Sequence, residues 1–156
     1  MSYQWWRFFH IAGAFGFLMS HGVSMGAVLR LRKERDRERI AALLEVSSRS
    51  IGVMYVSLLV LIAAGVVLGF ITQAWGRAWI WTAIGLLVGL MGFMYAVAMP
   101  YFQRLRNAVT ARRGEGYLIS DEELEDALTS SRPWIITGVG FAGLALILWL
   151  MVLRPF

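Results

Sequence analysis

The chain has 156 residues, 58% hydrophobic and 16% charged, with no cysteine and a formal net charge of +5. Soluble domains run at about 45–50% apolar and about 25% charged, so this composition points to lipid surroundings. The missing cysteines exclude disulfides, zinc–thiolate sites and iron–sulfur clusters, and the length fits a single membrane domain spanning residues 1–156.

Four stretches approach the roughly 20 apolar residues that a bilayer core requires. They are Phe8–Leu29, Ile51–Thr72, Trp79–Met99 and Trp134–Leu153, and none contains Asp, Glu, Lys or Arg. Backbone polar groups in lipid must bond internally, so each is expected to be a helix. The predicted fold is all-α, a four-transmembrane-helix bundle. The first stretch is too long for the roughly 7–15-residue apolar region of a signal peptide, and it runs into an arginine cluster. It is therefore expected to be a retained span.

The loop at residues 30–50 holds Arg30, Arg32, Lys33, Arg35, Arg37, Arg39 and Arg49. Its i,i+4 pairs Arg30–Glu34 and Arg32–Asp36 predict a charged helical extension of the first span. Ile40, Leu43, Leu44 and Ser47 then predict a surface helix with one apolar face. Acidic residues interrupt the basic run, which argues against a nucleic-acid arm.

The loop at residues 103–133 adds Arg104, Arg106, Arg112, Arg113 and Arg132. Only Arg7, Arg77 and Arg154 flank the opposite ends of the spans. The positive-inside rule then places both loops in the cytoplasm and both termini outside, in a bacterial inner (plasma) membrane. Trp5, Trp6, Trp75, Trp79 and Trp81 fall near the outer boundary, where indole rings favour the interface. In the later loop, Gly114 and Gly116 break any helix, and Ser120 with Glu123 forms a capping-box signal. Leu124 and Leu128 give the next helix an apolar edge, and Pro133 suits the first turn of the fourth span. The acidic run Asp121, Glu122, Glu123, Glu125 and Asp126 is suited to pairing with the arginine-rich first loop, or to plain solvation.

Boundary residues recur. Leu29–Arg32 reads LRLR and 103–106 reads QRLR; Ser-Ser-Arg precedes both the second and the fourth spans. Two helical hairpins in parallel repeat would explain this; so would the short menu of interface residues. Small-residue pairs offer close helix contacts at Gly22/Gly26, Gly65/Gly69, Gly85/Gly89 with Gly92, and Gly138/Ala142.

His10 and His21, the two histidines, both lie in the first span. An ionisable group at membrane depth is a functional candidate. Eleven residues bring the second ring about 20° past three full turns and about 16 Å along the axis. The two therefore share a face, yet cannot bind one metal ion or one haem together. Three readings follow. A b-type haem can be held by an axial histidine, with Gly13, Ala14, Phe17, Ser24 and Val28 making the face around His21 permissive. Copper is suited by His21 with Met25 at i,i+4, and by Met91 and Met94 on the third span. In the third reading there is no cofactor, and the bundle is a structural or interaction subunit. Tyr55 and Tyr95 are candidate hydrogen-bond partners of His21 in each. Phosphate loops, dinucleotide fingerprints and nucleophile elbows are absent from the sequence. A homo-oligomer or a larger membrane complex is a route to completing a site that has one axial histidine.

The segment Phe9-His10-Ile11-Ala12-Gly13-Ala14, opening a first span, resembles the start of an uncharacterised family of bacterial four-helix integral membrane proteins with a domain of unknown function. It is more distantly similar to CopD-type copper-resistance proteins and HemJ-type protoporphyrinogen oxidases. The resemblance implies a four-helix membrane fold, an association with haem b or copper, and a role for His10. The intramembrane lysine expected of the HemJ type has no counterpart here, and the larger histidine set of copper proteins is missing. The expectation is a small haem- or metal-associated accessory or redox subunit in the lipid bilayer.

Overall fold

A computed structural model describes residues 2–110, 112–113, 116–117 and 119–155. Four rods dominate it, each with a stretch long and apolar enough to cross a membrane: Tyr3–Leu31, Arg37–Ile71, Ala78–Thr110 and Asp121–Leu153. Helix α1 is Tyr3–Leu31 and α2 is Arg37–Ile71. The third rod comprises α3 (Ala78–Phe93), a π-helical turn at Met94–Ala98, and α4 (Met99–Thr110). The fourth comprises α5 (Asp121–Thr129) and α6 (Arg132–Leu153). A two-residue antiparallel ladder, β1 (Arg112–Arg113) with β2 (Gly116–Tyr117), interrupts the otherwise helical chain. Gly114 lies outside the described residues.

The helices extend well beyond the apolar stretches. The 35 residues of α2 rise about 52 Å, against a hydrocarbon core of about 30 Å. The arginine-rich segment is thus an extension of the second span, not of the first. Helix α1 stops at Leu31, and the Asp36 side chain accepts from the Glu38 N–H to cap α2. Residues 32–36 leave the helix, so neither Arg30–Glu34 nor Arg32–Asp36 pairs among the described residues. Instead Glu34 accepts the backbone N–H groups of Arg35 and Asp36 at 3.1 and 3.3 Å, and Arg39 reaches Glu34 at 3.9 Å and Asp36 at 3.7 Å.

The third rod likewise passes Met99 without stopping. Pro100 has no N–H and its ring crowds the preceding turn. The chain accommodates it with the wider π turn immediately before it.

The arginine-rich end carries a small soluble-type core. Leu31, Ile40, Leu44, Tyr101, Leu105, Ala108, Leu124 and Leu128 are buried together there. The stripe Ile40, Leu44 and Ser47 is the inward face of α2 at this end. Ser120 and Glu123 form the capping box on α5, and Pro133 stands in the first turn of α6. Arg37 clasps the cap together: its guanidinium donates to the carbonyls of Ala108 and Ile119 and meets Asp121 at 2.6 Å. Arg35 meets Glu125 at 3.4 Å, so the acidic helix does pair with the arginine-rich segment. At the opposite end Ala74, Trp79, Ile80, Ala83 and Leu150 form a second cluster.

Within the spans, α1 packs along α2, and α3 packs along α6. The first pair approaches closely at Gly13 and Gly16. A methyl on Gly13 would lie 2.7 Å from the Leu61 nitrogen and 2.9 Å from the Ser57 carbonyl oxygen; one on Gly16 would lie 2.6 Å from the Ser57 hydroxyl. Toward the arginine-rich end, Ser24 and Ser47 share a hydrogen bond of 2.8 Å between hydroxyls. Among the glycines proposed for close packing, Gly22, Gly26, Gly85, Gly89, Gly92 and Gly138 face nothing within 4 Å. Gly65 and Gly69 do receive neighbours, but these are the side chains of His10 and Trp75.

Candidate functional site

The two histidines stand in different settings. His10 lies two turns into α1, half-buried, and its ring crosses to α2. Its Nδ1 is 2.9 Å from the Leu61 carbonyl oxygen. A carbonyl only accepts, so Nδ1 carries the proton, and the lone pair of the neutral ring lies on Nε2. That bond requires the ring to rest against α2. Gly65 permits it, because a methyl there would be 3.0 Å from Cε1 and 3.1 Å from Nδ1. Trp5, Trp6, Phe8 and Phe9 precede the histidine as an aromatic cluster with neighbouring centroids 5.6–6.4 Å apart. Trp6 is at i−4 and Gly13 and Ala14 are at i+3 and i+4, so they share the His10 side of the helix.

His21 reaches α6 instead. Its Nε2 would be 2.9 Å from a methyl on Gly140, and the Met94 methyl would be 3.0 Å from the same point. Phe17 stacks on the ring with centroids 6.2 Å apart and planes 10° off parallel. The ring makes no hydrogen bond with any described residue. The half-buried ring is thus left without a partner among the described residues. Tyr55 and Tyr95 cannot supply one, being 60% and 73% exposed on the outer surface of the bundle.

The methionines divide in the same way. Met94 turns inward at the start of the π turn, and Met25 is half-buried one helical turn past His21. Met91 is 42% exposed, on the outer side of its helix. Three residues leave about 60° between Met91 and Met94 around the helix, enough to put one on the inner face and one on the rim. Among the described residues no group of three or more His, Asp or Glu side chains is placed to hold a metal ion.

Sequence reasoning singled out both rings but not what holds them. The Leu61 carbonyl, Gly65 and Gly140 carry no signal of their own, because glycine is common in spanning helices. Only the facing helix decides which glycine receives a ring.

Four apolar rods, unpaired large hydrophobic side chains over their outer surfaces and a charged cap at one end define an integral membrane protein. The chain belongs to the DUF2269 family, described as predicted integral membrane proteins, whose model matches residues 4–155. No curated protein and no solved structure matches it.

Proposed function

We propose that this protein is a haem b-associated accessory or redox subunit of a bacterial inner membrane, with His10 as the axial ligand. The observation that carries the reading is the 2.9 Å bond from His10 Nδ1–H to the Leu61 carbonyl. Ligating histidines characteristically give their other ring N–H to a carbonyl or carboxylate, which fixes the tautomer and makes the free nitrogen more basic. Gly65 leaves room for the ring in that orientation, and the family resemblance at Phe9–Ala14 points to His10 as well. The donor set therefore fits an axial imidazole. Bound haem supplies a one-electron Fe(III)/Fe(II) couple; His10 would hold it, and the aromatic cluster at Trp5–Phe9 would exclude water beside it. His21 is a poorer axial ligand. Its Nε2 faces Gly140 and the Met94 side chain, and no carbonyl or carboxylate among the described residues orients the ring as Leu61 orients His10.

The arginine-rich end is assigned to the cytoplasm, supported by twelve of the fifteen basic residues lying on the loops at that end. The test of the haem reading is substitution. His10→Ala should remove the haem absorbance and recover it with added imidazole, whereas His21→Ala should leave it in place. Loss of the spectrum in His21→Ala with retention in His10→Ala would reverse the assignment.

A further inference from the structure

A second site rests on observations independent of His10. Two helical elements converge on Gly140 of α6. From α1 comes the imidazole Nε2 of His21; from the π turn comes the side chain of Met94. Each lies about 3 Å from one point, the position of an added methyl on Gly140, so the ring nitrogen and the thioether methyl are less than about 6 Å apart. The glycine makes this convergence sterically possible. The ring has no hydrogen-bond partner among the described residues, and Phe17 shields one of its faces. Met25 follows one turn along α1.

We infer that His21 and Met94 form a binding site for monovalent copper within the membrane. An imidazole nitrogen and a thioether are soft enough for Cu(I), which is stable with two or three ligands. Calcium, magnesium and zinc sites are built mainly from carboxylates, thiolates or several imidazoles, and no such cluster occurs among the described residues. The unpartnered nitrogen gains a ligand in place of a missing hydrogen bond. The inwardly turned Met94 supplies sulfur from a turn whose π geometry is frequent at functional sites. Met91, on the lipid-facing rim, takes no part.

The test is anaerobic titration of the full chain in detergent with Cu(I), against a chromophoric competing chelator, with X-ray absorption on the loaded sample. The expected result is one Cu(I) per chain with nitrogen and sulfur scatterers. His21→Ala and Met94→Leu should each weaken binding by about tenfold or more. Gly140→Ala should weaken it too, by pushing both ligands aside. His10→Ala and Met91→Leu should bind as the parent does, which separates this site from the haem reading. Met94→Leu conserves volume and decides the matter if His21→Ala does not fold. No uptake above the detergent blank, or parental affinity in Met94→Leu, would overturn the inference.

Discussion

Replacing Gly13 by alanine tests the packing that positions His10. The added methyl would meet two backbone atoms of α2, at 2.7 Å from the Leu61 nitrogen and 2.9 Å from the Ser57 carbonyl oxygen. Ordinary carbon contacts begin near 3.4 Å, and neither partner can rotate away, so the helices must separate by about 0.5–1 Å. Overpacking of this kind costs about 1–3 kcal/mol. It is opposed by the roughly 0.5–1 kcal/mol that alanine gains over glycine inside a helix. A net loss of up to about 2.5 kcal/mol follows, with the 2.9 Å His10–Leu61 bond stretched toward the limit of a hydrogen bond. Gly22→Ala is the matched control on the same helix, since nothing lies within 4 Å of its methyl. It should be neutral or slightly stabilising. Reversible unfolding in mixed detergent, followed by far-UV circular dichroism, measures both. Equal stability of the two variants would refute the close approach of α1 and α2 at Gly13.

Arg37→Lys should destabilise the charged cap by about 2–3 kcal/mol, because a lysine cannot serve the Ala108 and Ile119 carbonyls together with Asp121; loss of amide-exchange protection in α5 is the readout. Ser120→Ala removes the hydroxyl that accepts the Glu123 N–H and should cost about 1 kcal/mol, again read as exchange in Asp121–Thr129. Ser24→Ala should cost only about 0.6 kcal/mol despite breaking the Ser24–Ser47 bond, because hydrogen bonds between spanning helices are weak on average; the same detergent unfolding measures it. The native chain has no cysteine, so single reporters are clean. Gln73→Cys should label with an impermeant maleimide in intact cells, and Lys33→Cys only after permeabilisation.

The spans were legible because hydropathy alone decides them, and the Ser120 cap because its two partners are three residues apart. The ends of the helices were not. Residues 100–110 read as loop, and 37–50 as a helical extension of the first span turning into a surface helix, yet Ile40, Leu44, Leu105 and Ala108 bury a soluble-type core that continues the second and third spans beyond the lipid. The break before Asp36 carries no such signal; Leu31 and Ile40 on its two sides are buried in one cluster. The close-packing glycines were misplaced for a different reason. Gly22 and Gly26 fit the small-residue spacing as well as any pair, but α2 presents its backbone to Gly13 instead. Both histidines were visible in the sequence. That they part company, one to the Leu61 carbonyl and one to Gly140, depends on neighbours far away in the chain.

The most direct test of the central claim is an oxidised and dithionite-reduced absorption spectrum of the detergent-purified protein, expressed with haem supplied. A Soret band with α and β bands sharpening on reduction, at one haem per chain and absent from His10→Ala, is the predicted result. A colourless parent protein under those conditions would contradict it and leave the His10–Leu61 bond as a helix-packing contact alone.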